Sequence, residues 1–177
     1  MGFTIKQEKG EVQAAHRFQV NAELHEIRLL DCTATISESN AQLEGQLRLG
    51  LKMETAALSV AEGNARFSVR ISIFGDPTNA PEQPERHSFE VACRYALAYD
   101  LRPGYSPSTE ELDAFREGNA IFHCWPYSRE LVQNMTARMG FPIPPLPFLR
   151  LAPKFPQKTV PKRPAKSTVK VEEKGGR

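Results

Sequence analysis

The residue types that most often do chemistry are present, but their spacing does not bring them together. Four histidines (His16, His25, His87, His123) are scattered along the 177 residues. His123 and Cys124 are adjacent, the wrong interval for two metal ligands on one helix face. The three cysteines, Cys32, Cys93 and Cys124, form no CxxC pair and read as reduced, mostly buried thiols. There is no glycine-rich phosphate loop, no GxSxG elbow and no HExxH helix. The carboxylates are spread over strand positions and one helix start, where they suit solvent and the helix dipole. The reading is a protein that is not an enzyme, with no catalytic residues, no metal and no cofactor.

What does concentrate is apolar and aromatic surface near the C-terminal end. The run Trp125-Pro126-Tyr127-Ser128-Arg129-Glu130-Leu131-Val132-Gln133-Asn134-Met135-Thr136-Ala137-Arg138-Met139-Gly140 predicts a helix that Pro126 interrupts or restarts and Gly140 closes. Tyr127, Leu131, Val132, Met135 and Met139 make its expected apolar stripe. The next eight residues, Phe141 to Phe148, contain four prolines, so they predict an extended path that lays Phe141, Ile143, Leu146 and Phe148 on a surface. Such groups bind by non-directional apolar contact.

The elements that must position them are strands. From Ile27 to Ile36 the apolar positions change parity between Leu29 and Leu30, which predicts a bulge. Leu47, Leu49, Leu51 and Met53 alternate with polar residues, a half-buried strand. The chain turns at Glu62-Gly63-Asn64 into a third strand bearing Phe67, Val69, Ile71 and Ile73. Gly75 to Arg86, with three prolines, predicts a polar loop. A fourth strand, from about Ser88 to Tyr99, lines Phe89, Val91, Cys93, Tyr95, Leu97 and Tyr99 along one face. Helical signals begin at Ser108, whose spacing to Glu111 suits a capping box; Leu112, Phe115 and Asn119 then share a face. The fold class is therefore α+β: a four-stranded antiparallel sheet, read as a meander, followed by one long helix containing a proline. Residues 1–22 give a weak signal, a short amphipathic helix or an arm.

Composition bounds the rest. Residues 154–177 hold eight cations against two acids; since the whole chain carries +2, residues 1–153 sum to −4. The proline-rich basic end predicts a disordered tail. No apolar run reaches the ~18 residues of a membrane span, and the charged N-terminus does not read as a secretory signal, so membrane insertion is not expected and a cytoplasmic location is. The division is an arm over 1–22, a domain over 23–153 and a tail over 154–177. Four half-apolar strands under one helix leave surface for a partner, or for the arm and the Pro-rich segment, to cover.

Pro126, Tyr127, Arg129 and Glu130, with Arg138, Gly140, Phe141 and Pro142, resemble the PYxRE…SRGxFP signature of the SecB family of chaperones. Leu151-Ala152-Pro153 is similar to that family's LAP, at a longer spacing, and the order of elements over about 24–153 matches. The resemblance implies an ATP-independent holdase, a homotetramer built as a dimer of dimers, whose grooves bind unfolded or precursor polypeptides for export. It implies client-binding roles for Phe122, Trp125, Tyr127, Phe141, Ile143, Leu146 and Phe148, each of which could equally serve core or interface packing. It also implies docking to the SecA motor through sheet acids, where Glu90 matches one position and Asp31 stands without a clear second. The basic tail and the missing final helix depart from the family's acidic C-terminus. Two alternatives therefore stay open: a SecB-like chaperone dedicated to a toxin–antitoxin system, and a nucleic-acid or ribosome-associated binder acting through the tail, against which the acidic body counts.

Overall fold

The computed structural model describes residues 3–37, 47–61, 63–78, 87–140, 143 and 145–154. The expected strands all form, and they run longer than their clearest alternation. In chain order they follow a short strand β1 (Phe3–Gln7) and a helix α1 (Lys9–Asn21), and comprise β2 (Ala22–Ile36), β3 (Leu47–Ala61), β4 (Asn64–Pro77) and β5 (Phe89–Leu101). Next come α2 (Thr109–Phe115), a π-helical turn over Arg116–Ala120, α3 (Ile121–Arg138) and a last strand, β6 (Leu149–Pro153). Helix α1 realises the amphipathic helix of the arm; β1 carries no signal in the sequence.

The four long strands form one antiparallel sheet in the order β2-β5-β4-β3. The meander therefore holds for β3, β4 and β5 alone. Strand β2 lies beyond β5 instead of beside β3. This makes β4 and β5 the central strands, and their alternation is the sharpest in the chain for that reason. Phe67, Val69, Ile71 and Ile73 of β4, and Phe89, Val91, Cys93, Tyr95, Leu97, Tyr99 and Leu101 of β5, are all buried on one face. The two register shifts of β2 fall between Leu24 and Glu26 and between Leu29 and Asp31, so the bulge sits at the parity change. Gly63 takes a φ of +78° at the β3–β4 turn, a conformation open to glycine without a steric cost.

The polar loop begins later than expected. Gly75, Asp76 and Pro77 complete β4, with Pro77 opposite Leu47 at the strand's end, a position that needs no ladder donor. The Asp76 carboxylate accepts from the Ser88 N–H at 3.0 Å and lies 2.8 Å from His87 Nδ1, closing the mouth of the connection. Residues 79–86 lie outside the described residues.

The helices cover the apolar face. Ser108 caps α2 through the predicted box, its Oγ accepting from Glu111 N while the Glu111 carboxylate accepts from Ser108 N. Phe115 packs 4.3 Å from Phe18 of α1, and Phe67 and Tyr99 meet both rings within 6 Å. Each such contact adds about 0.5–1.5 kcal/mol to the area buried. The irregularity of the long helix lies not at Pro126 but in the π turn ahead of it. There Gln7 Nε2 donates to the Ala114 carbonyl at 3.1 Å, and a Cβ on Gly118 would run into the Gln7 amide. Arg116 Nη1 fastens the same turn to β3 by donating to the carbonyl and hydroxyl oxygens of Thr55, both at 3.0 Å. Strands β1 and β6 pair in parallel, Phe3 opposite Leu149 through Gln7 opposite Pro153.

Candidate functional site: the groove between α3 and β2

Helix α3 runs unbroken through Pro126 and ends where expected, with Gly140 at a φ of +72° as the residue past the cap. Its buried face differs from the expected stripe. Ile121, Cys124, Trp125, Ser128, Val132 and Thr136 are buried, whereas Leu131, Met135 and Met139 are half-buried and Tyr127 is 52% exposed. The two hydroxyls hide this face from a hydropathy reading. Ser128 Oγ donates to the Cys124 carbonyl at 3.1 Å and Thr136 Oγ1 to the Val132 carbonyl at 2.9 Å, so each is satisfied within its own helix.

The seven aromatic and apolar residues singled out above do not form one surface. Trp125 is 3% exposed; its Nε1 donates to the Pro147 carbonyl at 3.1 Å and its ring meets Phe3 edge-on at 5.5 Å. Ile143 and Leu146 are buried as well. The Trp125–Pro147 bond, with Arg129 Nε donating to the Leu146 carbonyl at 2.9 Å, holds the Pro-rich segment onto α3. Trp125, Ile143 and Leu146 are all buried in this chain, as the core-packing alternative for them expects. Phe148, 73% exposed, lies over the Arg129 guanidinium at 4.5 Å. Phe122 is exposed beside His123. Phe141 lies outside the described residues, as does the tail from residue 155.

Tyr127 faces a concavity. Ile27 and Leu29 of β2 and Tyr95 of β5 meet Tyr127, Glu130, Leu131 and Asn134 of α3 around a groove of about 320 Å³. It arises because α3 crosses the central strands and covers the core-side face of β2 only in part: Ile27, Cys32, Ala34 and Ile36 are half-buried against the core. Leu24, Leu29 and Leu30 of that strand are 37–45% exposed. Strand β2 is also the edge of the sheet, and among the described residues nothing pairs with its outer side. The groove thus offers an apolar floor, an aromatic wall, two polar side chains at the rim and a row of backbone donors and acceptors alongside. Ile27 and Leu29 were legible as strand residues but not as site residues; the missing knowledge was which strand the helix covers least.

The opposite face of the sheet is polar. Glu90 lies there, half-buried, with Thr35 of β2 and Phe74 of β4 as its cross-strand partners. Three other acids on this face are engaged: Asp31 with Arg94 Nε at 2.6 Å, Glu26 with Arg28 at 2.9 Å and Glu54 with Lys52 at 2.7 Å. The Lys52 ammonium, with Arg70 opposite, holds Glu54 below the usual carboxylate range.

Titratable groups under the helices are held by burial. It pushes Cys124 up to about 12 and lowers His123, whose Nδ1 lies 2.8 Å from the Tyr99 hydroxyl. Burial raises the Tyr99 phenol too, so the phenol donates and the imidazole accepts. Among the described residues no three His, Cys, Asp or Glu side chains gather as a metal-holding group. No helix there is long and apolar enough to cross a membrane.

Comparison with known proteins bears on what such a groove serves. No family model matches the chain. It is 28% identical over 141 residues to the SecB-like chaperone Rv1957 of Mycobacterium tuberculosis strain H37Rv, covering 71% of this chain and 76% of that protein. The SecB-like chaperone MT2006 of strain CDC 1551 matches to the same extent. Among solved structures, the Rv1957 SecB-like chaperone in complex with a ChAD peptide from the Rv1956 HigA1 antitoxin superposes with a TM-score of 0.62 at 22% identity. That match spans 78% of this chain and 96% of the other. The α+β fold, with its four-stranded antiparallel sheet and long C-terminal helix, is the fold of that chaperone. In sequence and in fold the chain is similar to the SecB-like chaperones.

Proposed function

We propose that this chain is an ATP-independent holdase that takes up an extended, apolar stretch of unfolded polypeptide in the groove between β2 and α3. The observation that carries the reading is the groove itself, a partly covered apolar strand face beside a sheet edge that no strand among the described residues pairs with. An extended client can add its backbone to such an edge while alternate side chains drop onto Ile27, Leu29 and Tyr127. Apolar contact tolerates many sequences. Retention needs no nucleotide, because whatever binds the unfolded state holds it by mass action.

The client source we favour is a dedicated partner of the antitoxin kind over a precursor handed to SecA. The similar chaperone Rv1957 is known in complex with an antitoxin peptide. The outer face, where Glu90 would serve a motor, offers acids already paired with Arg94, Arg28 and Lys52. Light scattering of the purified protein, alone and with a chemically unfolded client, tests the reading. A complex that forms without ATP supports it, and the mass of the free protein reads whether four copies assemble, as the family resemblance implies. A protein indifferent to every unfolded client sinks it.

A further inference from the structure

Strands β2 and β5 set Cys32 directly opposite Cys93. Antiparallel pairs alternate between hydrogen-bonded and non-hydrogen-bonded kinds, and the end of the ladder fixes the phase. Ser37 N donates to the Ser88 carbonyl at 2.9 Å, so that pair is hydrogen-bonded. Counting inward with no register shift, 36/89, 34/91 and 32/93 are the non-hydrogen-bonded pairs. In such a pair the Cα atoms stand about 4.5 Å apart with side chains close, inside the ~4.4–6.8 Å that a disulfide spans. Both thiols are on the core-side face. Cys93 is buried and Cys32 half-buried, so an oxidant reaches Cys32 first.

We propose that Cys32 and Cys93 are a redox modification site, closing a reversible cross-strand disulfide when the protein meets a peroxide. In the first step the Cys32 sulfur attacks hydrogen peroxide; an S–O bond forms, the O–O bond breaks and water leaves once the proton is counted. In the second the Cys93 sulfur attacks the Cys32 sulfenic acid; the S–S bond forms, the S–O bond breaks and a second water leaves. Two thiols are oxidised by two electrons and one peroxide is reduced. Burial raises both thiols, Cys93 to about 12, so thiolate is scarce at neutral pH and the reaction quickens as the pH rises.

The consequence falls on the groove. Leu29, opposite Tyr95, lies just across the bulge from Cys32. A covalent tie at Cys32 anchors this edge strand, which among the described residues otherwise joins the sheet through β5. The chemistry does not depend on the polypeptide-binding reading.

The test treats the full-length protein with hydrogen peroxide, then digests it without reduction. The expected product is a monomer lighter by two hydrogens that yields one Cys32–Cys93 cross-linked peptide. Amide exchange across β2 slows by about tenfold, because local opening now strains against the tie. Dithiothreitol reverses both changes. Cys32→Ser and Cys93→Ser each abolish the product while keeping the circular dichroism of the parent, and Cys124→Ser leaves it intact. A Cys93–Cys124 link, dimers joined through Cys32, or Cys32 advancing to sulfinic acid with Cys93 still reduced would each overturn the proposal.

Discussion

Replacing Tyr127 by alanine separates groove from core. Tyr127 is 52% exposed, so about half of its surface is not tied into the fold. Aromatic side chains bury about 150–250 Å² when fully covered, so about 100 Å² of Tyr127 remains for a client to cover. At ~25 cal/mol per Å² this is at most ~2.5 kcal/mol of binding. Part is offset by ordering the client, which leaves ~1–2 kcal/mol, or about 5- to 30-fold in Kd. Stability should change by less than ~1 kcal/mol, as for exposed substitutions generally. The assay is fluorescence anisotropy of a labelled unfolded client, with urea denaturation of the free protein alongside. Unchanged affinity would refute the placement of the site. A stability loss above ~2 kcal/mol would show that Tyr127 belongs to the core after all.

The remaining predictions concern the frame around the groove. Trp125→Ala removes a buried indole, its bond to Pro147 and its contact with Phe3, and should cost ~3–5 kcal/mol in urea denaturation; a loss below ~1 kcal/mol would mean the Pro-rich segment is not anchored there. His123 is held below its ordinary value by burial. Its neutral form therefore favours the fold, a contribution complete above about pH 6.5 and lost as the pH falls through the lower, folded value. His123→Gln should flatten the decline of the denaturation midpoint below pH 6.5, and parallel profiles would contradict this. Gly140→Ala forces a Cβ into the left-handed region at the end of α3 and should lower stability by ~1–2 kcal/mol; a neutral result would place the helix end elsewhere.

Legibility in the sequence followed the local physics. Strands β4 and β5 could be read because each has one covered face, so burial and alternation coincide residue by residue. The bulge at Leu30 was readable from the change of apolar parity between Leu29 and Leu30, not from burial. Strand order was not, because nothing local to β2 says that it joins β5 rather than β3. Strands β1 and β6 are five residues each and meet from opposite ends of the chain, where no short-range pattern reports them. Pro126 was read as interrupting or restarting the helix, but the helix changes pitch upstream at Gly118, where Gln7 fills the gap. The site was half legible. Tyr127 stood out by its type and position, while Trp125, Ile143 and Leu146 stood out equally and turned inward. Apolar residues on a Pro-rich segment look alike in sequence whether they face a client or their own helix. What separated them was the Trp125–Pro147 bond and the Arg129–Leu146 bond, both tertiary.

The most direct measurement is amide hydrogen exchange of the full chain with and without an unfolded client, in the absence of nucleotide. The account predicts slowed exchange along β2 from Leu24 to Asp31, where a client strand would occupy free donors, and unchanged exchange through β4. Protection confined to other parts of the chain, or no protection while client is bound, would contradict a polypeptide site between β2 and α3.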